Sequence, residues 1–291
     1  MDFTTAQQLI EICNEKNLKI SEVMIERETK ILENDYEDTI KKMEYSLSIM
    51  KSAIETSLKK PVKSMGGLIG GEAQKINNNR LKGNSLCGSL ISKAIAYAMG
   101  TLEVNASMGL IVAAVTAGSS GVLPGVLVSV QEEKNFSDEE IVKVMFNAAA
   151  IGYLISRNAT VSGAEGGCQA EVGAASAMAA SALVELMGGT PKQCLAAAGT
   201  ALTNIMGLIC DPIAGLVECP CQSRNAIGAT NALTSAEIAL SGVKQCIPFD
   251  EIVEAMYSVG RSLPRELRET ALGGVAATPT GCRLKNRIFG D

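Results

Sequence analysis

The feature that most constrains the fold of this chain is a long run that is almost free of charge. Residues 141–210 hold only six charged side chains, whereas residues 1–63 hold 22. Small and apolar residues follow one another in this run without the alternation of a half-buried strand, as in AEVGAASAMAASALVELMGG. Small side chains let neighbouring helix backbones approach closely. We therefore expect an all-α fold with a closely packed helical core.

The charge-rich beginning of the chain predicts amphipathic helices. Residues 4–17 have helical spacing of apolar side chains, with Thr4 or Thr5 as the N-cap. A second helix is predicted over residues 22–58, with Ser21 as its cap.

Proline and glycine residues after this helix predict a boundary in the chain. Pro61 and the glycines of SMGGLIGGEAQ end the helical pattern. We expect residues 1–60 to form an N-terminal helical segment. Residues 61–291 are then expected to form the remaining domain, which contains the helical core.

An uncharged stretch from Val104 to Val130 raises the possibility of a membrane span. A spanning helix needs about 20 predominantly apolar residues, and polar residues, glycines and Pro124 interrupt this stretch. Two buried helices joined by the loop TAGSSGVLPG are the expected structure. The beginning of the chain has no basic segment followed by an apolar one, which predicts a cytoplasmic protein. A net charge of −5 argues against nucleic acid as a partner.

The chain has nine cysteines and no histidine. In a reducing compartment, cysteines are buried thiols, metal ligands or catalytic groups rather than disulfides. Without histidine, a general base must be Lys, Asp, Glu, Tyr or Cys, or must come from another polypeptide.

Several of the cysteines have surroundings that favour metal binding. Cys168 lies in GAEGGCQAEVG, and Cys210, Cys219 and Cys221 lie in CDPIAGLVECPC. Converging thiolates are the donors that zinc or an iron–sulfur cluster requires, and paired C-x-x-C motifs of a zinc ribbon are missing. The remaining helix-spaced cysteines are expected to fill the core: Cys13, Cys87, Cys194 and Cys246.

Four segments of the chain together resemble a known family. They are SGAEGGCQAEVG, CDPIAGLVECPCQSRNAIGATNA, NASMGLIVAAVTAGSSGVLPG and RETALGGVAATPTG. Together they resemble the α chain of the bacterial two-chain, iron–sulfur-dependent L-serine dehydratases, over about residues 60–282, and the resemblance implies that residues 61–291 form the catalytic domain. The resemblance implies a lyase of amino-acid degradation and gluconeogenesis that converts L-serine to pyruvate and ammonia. It implies a [4Fe–4S] cluster and no pyridoxal phosphate.

The resemblance also implies which residues bind the cluster. The family's three cluster cysteines correspond to Cys168, Cys210 and Cys221. We choose Cys221 over Cys219 because the family keeps the cysteine just before the QSRN-like segment. The iron without a cysteine would act as a Lewis acid for loss of the substrate hydroxide. Cys282 is a weaker candidate for a displaceable fourth ligand.

The missing histidine bears on the partner of the chain. Fused members of the family carry a further domain with a histidine-containing segment, and split members carry it on a β chain. We therefore expect a heterodimer with a β chain that supplies the base. The isolated α chain should be inactive or nearly so.

Four polar residues are candidates for substrate binding. Ser119 and Ser120, with the backbone N–H groups of their loop, could receive a carboxylate. Lys93 could pair with that carboxylate, with Glu103, or with solvent. Glu165 could contact the substrate ammonium.

A second acidic residue beside Cys168 has a structural interpretation. Glu171 is expected to form an ion pair with a basic side chain such as Arg224.

Two other functions remain open at this point. A cluster-dependent L-cysteine desulfidase would use the same open iron on a different leaving group. A helical scaffold subunit would hold its cysteines buried and free of metal.

Overall fold

The computed structural model describes residues 2–31, 33 and 35–290. In these residues the chain is helical, and the only paired extended backbone is one bridge between Cys210 and Arg268. The α-helices in chain order are α1 (Ala6–Lys16), α2 (Ile20–Ile31), α3 (Tyr36–Lys59), α4 (Glu72–Leu81), α5 (Gly88–Ala106), α6 (Val122–Lys134), α7 (Asp138–Asn158), α8 (Gly163–Gly166), α9 (Ala174–Leu186), α10 (Pro191–Asn204), α11 (Cys221–Leu240), α12 (Phe249–Ser262) and α13 (Pro279–Phe289). The predicted all-α class is confirmed.

Helix α9 forms the centre of the core. Every residue from Ala174 to Glu185 is buried. The helix packs against α6, α7, α10 and α11. Because most of its residues are alanine or serine, it is narrow enough for neighbours on all sides. This explains the long uncharged run in the sequence.

Small residues also set the contact between α5 and α6. A Cβ atom at Gly125 would lie 2.8 Å from both the backbone nitrogen and the Cβ of Ala98. Real Cβ atoms do not approach that closely, so only glycine permits this crossing. The predicted close packing of helices is confirmed here.

Helix α1 begins as its sequence predicts. Thr5 is the N-cap, and its hydroxyl accepts a hydrogen bond from the Gln8 N–H at 3.2 Å. The Gln8 side chain in turn accepts from the Thr5 N–H at 3.3 Å, which completes a capping box.

The prediction of one helix over residues 22–58 is wrong. Two helices, α2 and α3, occupy this part of the chain. Asp35 begins α3 as its N-cap by accepting a hydrogen bond from the Asp38 N–H at 2.7 Å. An aspartate cap is preferred at such a position, so the second helix starts anew. Leu32 and Asn34 lie outside the described residues.

Ser21 is not the cap of α2, contrary to the prediction. The helix begins at Ile20, one residue before Ser21. Glu22 accepts a hydrogen bond from the Lys19 N–H at 2.7 Å. Ser21 is buried, and its N–H donates to the carboxylate of Glu185 at 3.2 Å. Asn147 donates to the same oxygen at 2.7 Å, so α2, α7 and α9 are joined by one buried polar network. The N-terminal helices thus cover the core.

The uncharged stretch from 104 to 130 forms parts of α5 and α6 and the connection between them. No helix among the described residues has the length and apolar character that crossing a membrane requires. The connection between the two helices covers residues 107–121, so it begins before the predicted loop, and α6 begins inside that loop at Val122. Pro124 therefore lies in the first turn of a helix, where the missing N–H of proline is tolerated.

Candidate active site

The four sequence segments that carry the family resemblance meet at one place in the fold. Each is joined to another by hydrogen bonds over long sequence separations. The contacts are Thr116 to Glu171, Arg224 to Cys168, Asn225 to Gly118 and Gly121, and Cys210 to Leu267 and Glu269. We therefore take this junction as the candidate active site.

Cys168 lies between two short irregular helices. Gly167 has a φ of 75° and allows the chain to turn after α8. Residues Gln169–Gly173 then form a single π-helical turn, a conformation that is frequent at functional sites. The Gln169 side chain fixes this turn by donating to the Met256 carbonyl at 2.9 Å and accepting from the Gly207 N–H at 2.8 Å.

Cys210 is held by its backbone. Its N–H donates to the Leu267 carbonyl at 2.9 Å, and its carbonyl accepts from the Glu269 N–H at 2.7 Å. Residues 267–269 thus form the partner in the single extended bridge. This pairing fixes the buried Cys210 thiol from a segment far along the chain.

Cys168, Glu171 and Cys210 present three potential ligand atoms within 4.8 Å of one another. Gly163 borders this group. A Cβ atom there would lie 2.5 Å from Glu171 Oε2 and 3.2 Å from Cys210 Sγ. Because glycine has no side chain, the Glu171 carboxylate and the Cys210 thiol pack directly against the backbone here.

The electrostatics of the two thiols are unequal. The neighbouring Cys210 thiol, and after it the Arg224 guanidinium, lower the pKa of Cys168 against the effect of burial. The same contact with Cys168, together with burial, raises the pKa of Cys210. Burial also raises the pKa of Glu171, although Thr116 Oγ1 donates to it at 2.8 Å. Cys168 is the thiol most ready to act as a thiolate, the form that binds metals.

The prediction of an ion pair between Glu171 and Arg224 is wrong. Arg224 pairs with Asp211 instead, with Nη2 at 2.6 Å from Oδ1. Its other terminal nitrogen lies 3.6 Å from Cys168 Sγ. Asp211 follows Cys210 directly in sequence, so the bridge that fixes Cys210 also places the partner of Arg224.

Cys219 and Cys221 differ in their surroundings. Cys221 is buried at the start of α11, and burial raises the pKa of its thiol; like Cys219, it does not belong to the group of donor atoms formed by Cys168, Glu171 and Cys210. Cys219 is half-buried; burial raises its pKa, and the charges acting on it are those of Arg224, Asp211 and Glu218.

The segment 116–121 forms one wall of the site. Asn225 of α11 fastens it, accepting from the Gly121 N–H at 2.9 Å and donating to the Gly118 carbonyl at 2.8 Å. Ser119 is fully buried and forms a capping box with Thr116. Ser120 is fully buried too, and its hydroxyl has no hydrogen-bond partner among the described residues.

Three candidate residues have contacts elsewhere. Lys93 forms ion pairs with Glu132 and Glu133 at 3.2 and 3.6 Å. Glu165 is exposed on α8 and accepts from Thr160 Oγ1 at 2.5 Å. Cys282 is exposed on α13 and does not belong to the group of donor atoms around Cys168.

The other cysteines divide into two pairs. Cys13 and Cys194 are buried in the core, as predicted, and burial raises the pKa of the Cys13 thiol to about 12. Cys87 and Cys246 are exposed, so their prediction as core residues is wrong. Cys87 precedes the first turn of α5, and Cys246 lies in the connection between α11 and α12.

Sequence reasoning missed the parts played by Thr116, Asp211 and Asn225. Asp211 and Asn225 lie in motifs that were recognised, CDP and QSRN, beside two of the proposed ligands. Only the fold shows that they hold Arg224 and the segment 116–121.

Comparison with known proteins gives a consistent result. The model of the family described as "Serine dehydratase alpha chain" matches residues 15–276. The "Probable L-serine dehydratase, alpha chain" of Bacillus subtilis is 49% identical over 288 residues, which are 99% of this chain and 96% of the relative. The "L-serine dehydratase, alpha chain" of Peptoniphilus asaccharolyticus is 46% identical, over 97% of this chain and 96% of the relative.

A longer relative is also similar. The "L-serine dehydratase" of Helicobacter pylori (strain 26695) is 35% identical over 284 residues, which are 95% of this chain and 62% of that protein. The family model covers three of the segments that meet at the cysteine site and part of the fourth, and the relatives match nearly the whole chain. This chain therefore belongs to the serine dehydratase alpha chain family, a family of lyases.

Proposed function

We propose that this chain is the α subunit of an L-serine dehydratase that converts L-serine to pyruvate and ammonia. The observation that carries the proposal is the buried donor group of Cys168, Glu171 and Cys210, formed where all four family segments meet. The names of the two relatives that match almost the whole chain support L-serine as the substrate.

The donor chemistry of the site fits a [4Fe–4S] cluster. Thiolates are the usual ligands of such clusters. We propose Cys168, Cys210 and Cys221 as the ligands, since all three are buried thiols, and Cys168 and Cys210 already lie together in the donor group. The lack of a side chain at Gly163 lets donor atoms come close to the backbone there.

A bound cluster with three cysteine ligands would supply an open iron, a Lewis acid that makes the substrate hydroxyl a better leaving group. The residues of this chain would bind and orient the substrate. Ser120 presents a buried hydroxyl that has no hydrogen-bond partner in the described part of the chain, which suits a substrate carboxylate. Ser119 and Asn225 hold the segment that carries it.

Removal of the α-proton requires a base that this chain does not supply as histidine. We infer that a partner β chain provides it. The relatives named as alpha chains support a two-chain enzyme. The length of the Helicobacter relative supports the same division, since this chain matches 62% of it.

Anaerobic purification after supply of iron and sulfide tests the proposal. We expect about four irons and four sulfides per chain and brown absorption near 400 nm. The chain with its partner should form pyruvate from L-serine, and the chain alone should form little. An active preparation that is free of iron would contradict the cluster assignment. Faster turnover of L-cysteine than of L-serine would contradict the substrate.

A further inference from the structure

Among the described residues, Arg224 is the cation whose side chain hydrogen-bonds to the sulfur of a proposed cluster ligand. Its Nη1 lies 3.6 Å from Cys168 Sγ, within hydrogen-bonding range for sulfur, and also donates to the Ile209 carbonyl at 2.9 Å. The Arg224 side chain is only 12% exposed. Its charge therefore acts on Cys168 with little screening by solvent.

Asp211 holds this guanidinium in place. Asp211 is 1% exposed, and its Oδ1 accepts from Arg224 Nη2 at 2.6 Å. Its Oδ2 accepts from the Val275 N–H at 2.7 Å, so the carboxylate cannot rotate away from the arginine. Both terminal nitrogens of Arg224 are thereby committed, one to Asp211 and one to Ile209 and Cys168. A planar guanidinium supports this geometry, and a lysine ammonium does not.

The position of Arg224 on α11 gives it a further connection to the site. It lies three residues after Cys221, which is one turn of the same helix. Arg224 therefore joins two of the proposed ligands, one through its backbone and one through its side chain. A buried ion pair that served stability alone would not need to present its remaining N–H to a sulfur atom.

We propose that Arg224 is a positioning residue that donates a charge-assisted hydrogen bond to the Cys168 sulfur in the cluster-loaded protein, with Asp211 fixing its direction. This inference rests on the proposed function. Hydrogen bonds to the sulfurs and nearby charge set the reduction potential of iron–sulfur clusters. A cation beside a ligand favours the reduced cluster and holds the thiolate, so Arg224 raises the potential and slows loss of the cluster.

The test compares three variants of the full chain, reconstituted anaerobically with iron and sulfide. Arg224→Gln removes the charge, Arg224→Lys keeps the charge without the planar fork, and Asp211→Asn removes the fixing carboxylate. Arg261→Gln is the matched control, because Arg261 is exposed and its guanidinium contacts Tyr257. The readouts are the reduction potential from a dithionite titration followed by EPR, and the rate of bleaching by a chelator.

We expect a more negative potential in Arg224→Gln and bleaching faster by about 10- to 100-fold, the usual cost of losing a group that orients a metal ligand. Arg224→Lys and Asp211→Asn should lie between this variant and the wild type. If Arg224→Gln does not fold, judged by circular dichroism, the other two variants carry the test.

An unchanged potential and bleaching rate in every folded variant would overturn the inference. A wild-type chain that takes up no iron and sulfide would instead overturn the proposed function. The two failures are therefore distinguishable.

Discussion

Asn225 and Gly121 are joined by a buried hydrogen bond, with the Gly121 N–H donating to Asn225 Oδ1 at 2.9 Å. The Asn225 amide nitrogen donates to the Gly118 carbonyl at 2.8 Å. One side chain of α11 thus holds both ends of the segment that carries Ser119 and Ser120. The first turn of α11 bears Cys221, so the same helix positions a proposed ligand and a proposed substrate wall.

Replacing Asn225 by alanine should loosen this wall. The Gly121 N–H would be left buried without an acceptor, at a cost of about 1–3 kcal/mol in the free energy of unfolding. We expect kcat/KM for serine to fall by about tenfold or more, because misplaced binding groups lose transition-state stabilisation. Urea unfolding and pyruvate formation measure the two effects. Asn78→Ala, on the exposed face of α4, should change stability by less than about 0.5 kcal/mol.

Replacement of single cysteines by serine should show whether Cys221 or Cys219 is a cluster ligand. Cys221→Ser should lose most of the iron, because its buried thiol is a proposed ligand. Cys219→Ser should keep the wild-type iron content, since its half-buried thiol is not a proposed ligand. Iron and sulfide analysis after reconstitution measures both, with the exposed Cys87→Ser as control. Loss of iron in Cys219→Ser, with wild-type iron content in Cys221→Ser, would make Cys219 the third ligand instead of Cys221.

Substitution of Gly163 by alanine should displace side chains of the donor group. The added methyl would lie 2.5 Å from Glu171 Oε2 and 3.2 Å from Cys210 Sγ. We expect reduced iron uptake, and a loss of stability of about 1–3 kcal/mol from overpacking. At Gly173 a Cβ would meet only ordinary contacts, 3.5 Å or more from Leu202 and Ile205. Gly173→Ala should therefore take up iron like the wild type.

The two glutamates beside Cys168 should respond differently to substitution. Glu171 is a neighbour of both thiols and of Thr116, so Glu171→Gln should lower serine turnover. Glu165 is exposed and its described hydrogen bond is with Thr160, so Glu165→Gln should leave kcat and KM close to wild type. Steady-state kinetics on both variants test this. A rise in KM for Glu165→Gln, with no effect of Glu171→Gln, would instead indicate that Glu165 contacts the substrate.

Glu103 should make the stability of the protein depend on pH. Burial raises its pKa above the ordinary value of 4.5, although Ala73 and Gln222 donate to one of its oxygens at 3.0 and 2.8 Å. The folded state binds the proton more tightly than the unfolded state. Stability from this group is therefore complete below pH 4.5 and is lost as pH rises through the folded pKa.

The neutral variant Glu103→Gln should remove that loss. The other carboxylate oxygen of Glu103, Oε2, is buried and has no hydrogen-bond partner among the described residues. The amide of glutamine therefore replaces a charged group at this position by a neutral one. Chemical unfolding at pH 4 and pH 8 should show the variant gaining stability relative to wild type at the higher pH. Parallel pH profiles for the two proteins would contradict the prediction.

The sequence was sufficient to predict the helical class and to identify cysteines as candidate metal ligands. Small, uncharged runs such as that of α9 permit few arrangements other than packed helices, and a thiol has ligand chemistry in any fold. The break between α2 and α3 was missed because the apolar spacing continues across it, while the cap at Asp35 decides the structure.

Ion-pair partners were less predictable. Arg224 lies 53 residues after Glu171 and 13 after Asp211, and both carboxylates have a suitable charge. The choice of Asp211 depends on the bridge between Cys210 and residues 267–269, which no local pattern reveals. The same holds for Thr116, whose bond to Glu171 spans 55 residues.

The bridge at Cys210 also has a consequence for biosynthesis. A ribosome makes Cys168, Cys210 and Cys221 before it makes Leu267 and Glu269, whose backbone fixes Cys210. Iron delivered to a nascent chain at that stage would meet thiols without a settled arrangement. The proposed cluster would therefore find Cys210 in its final place only after residues 267–269 have been translated.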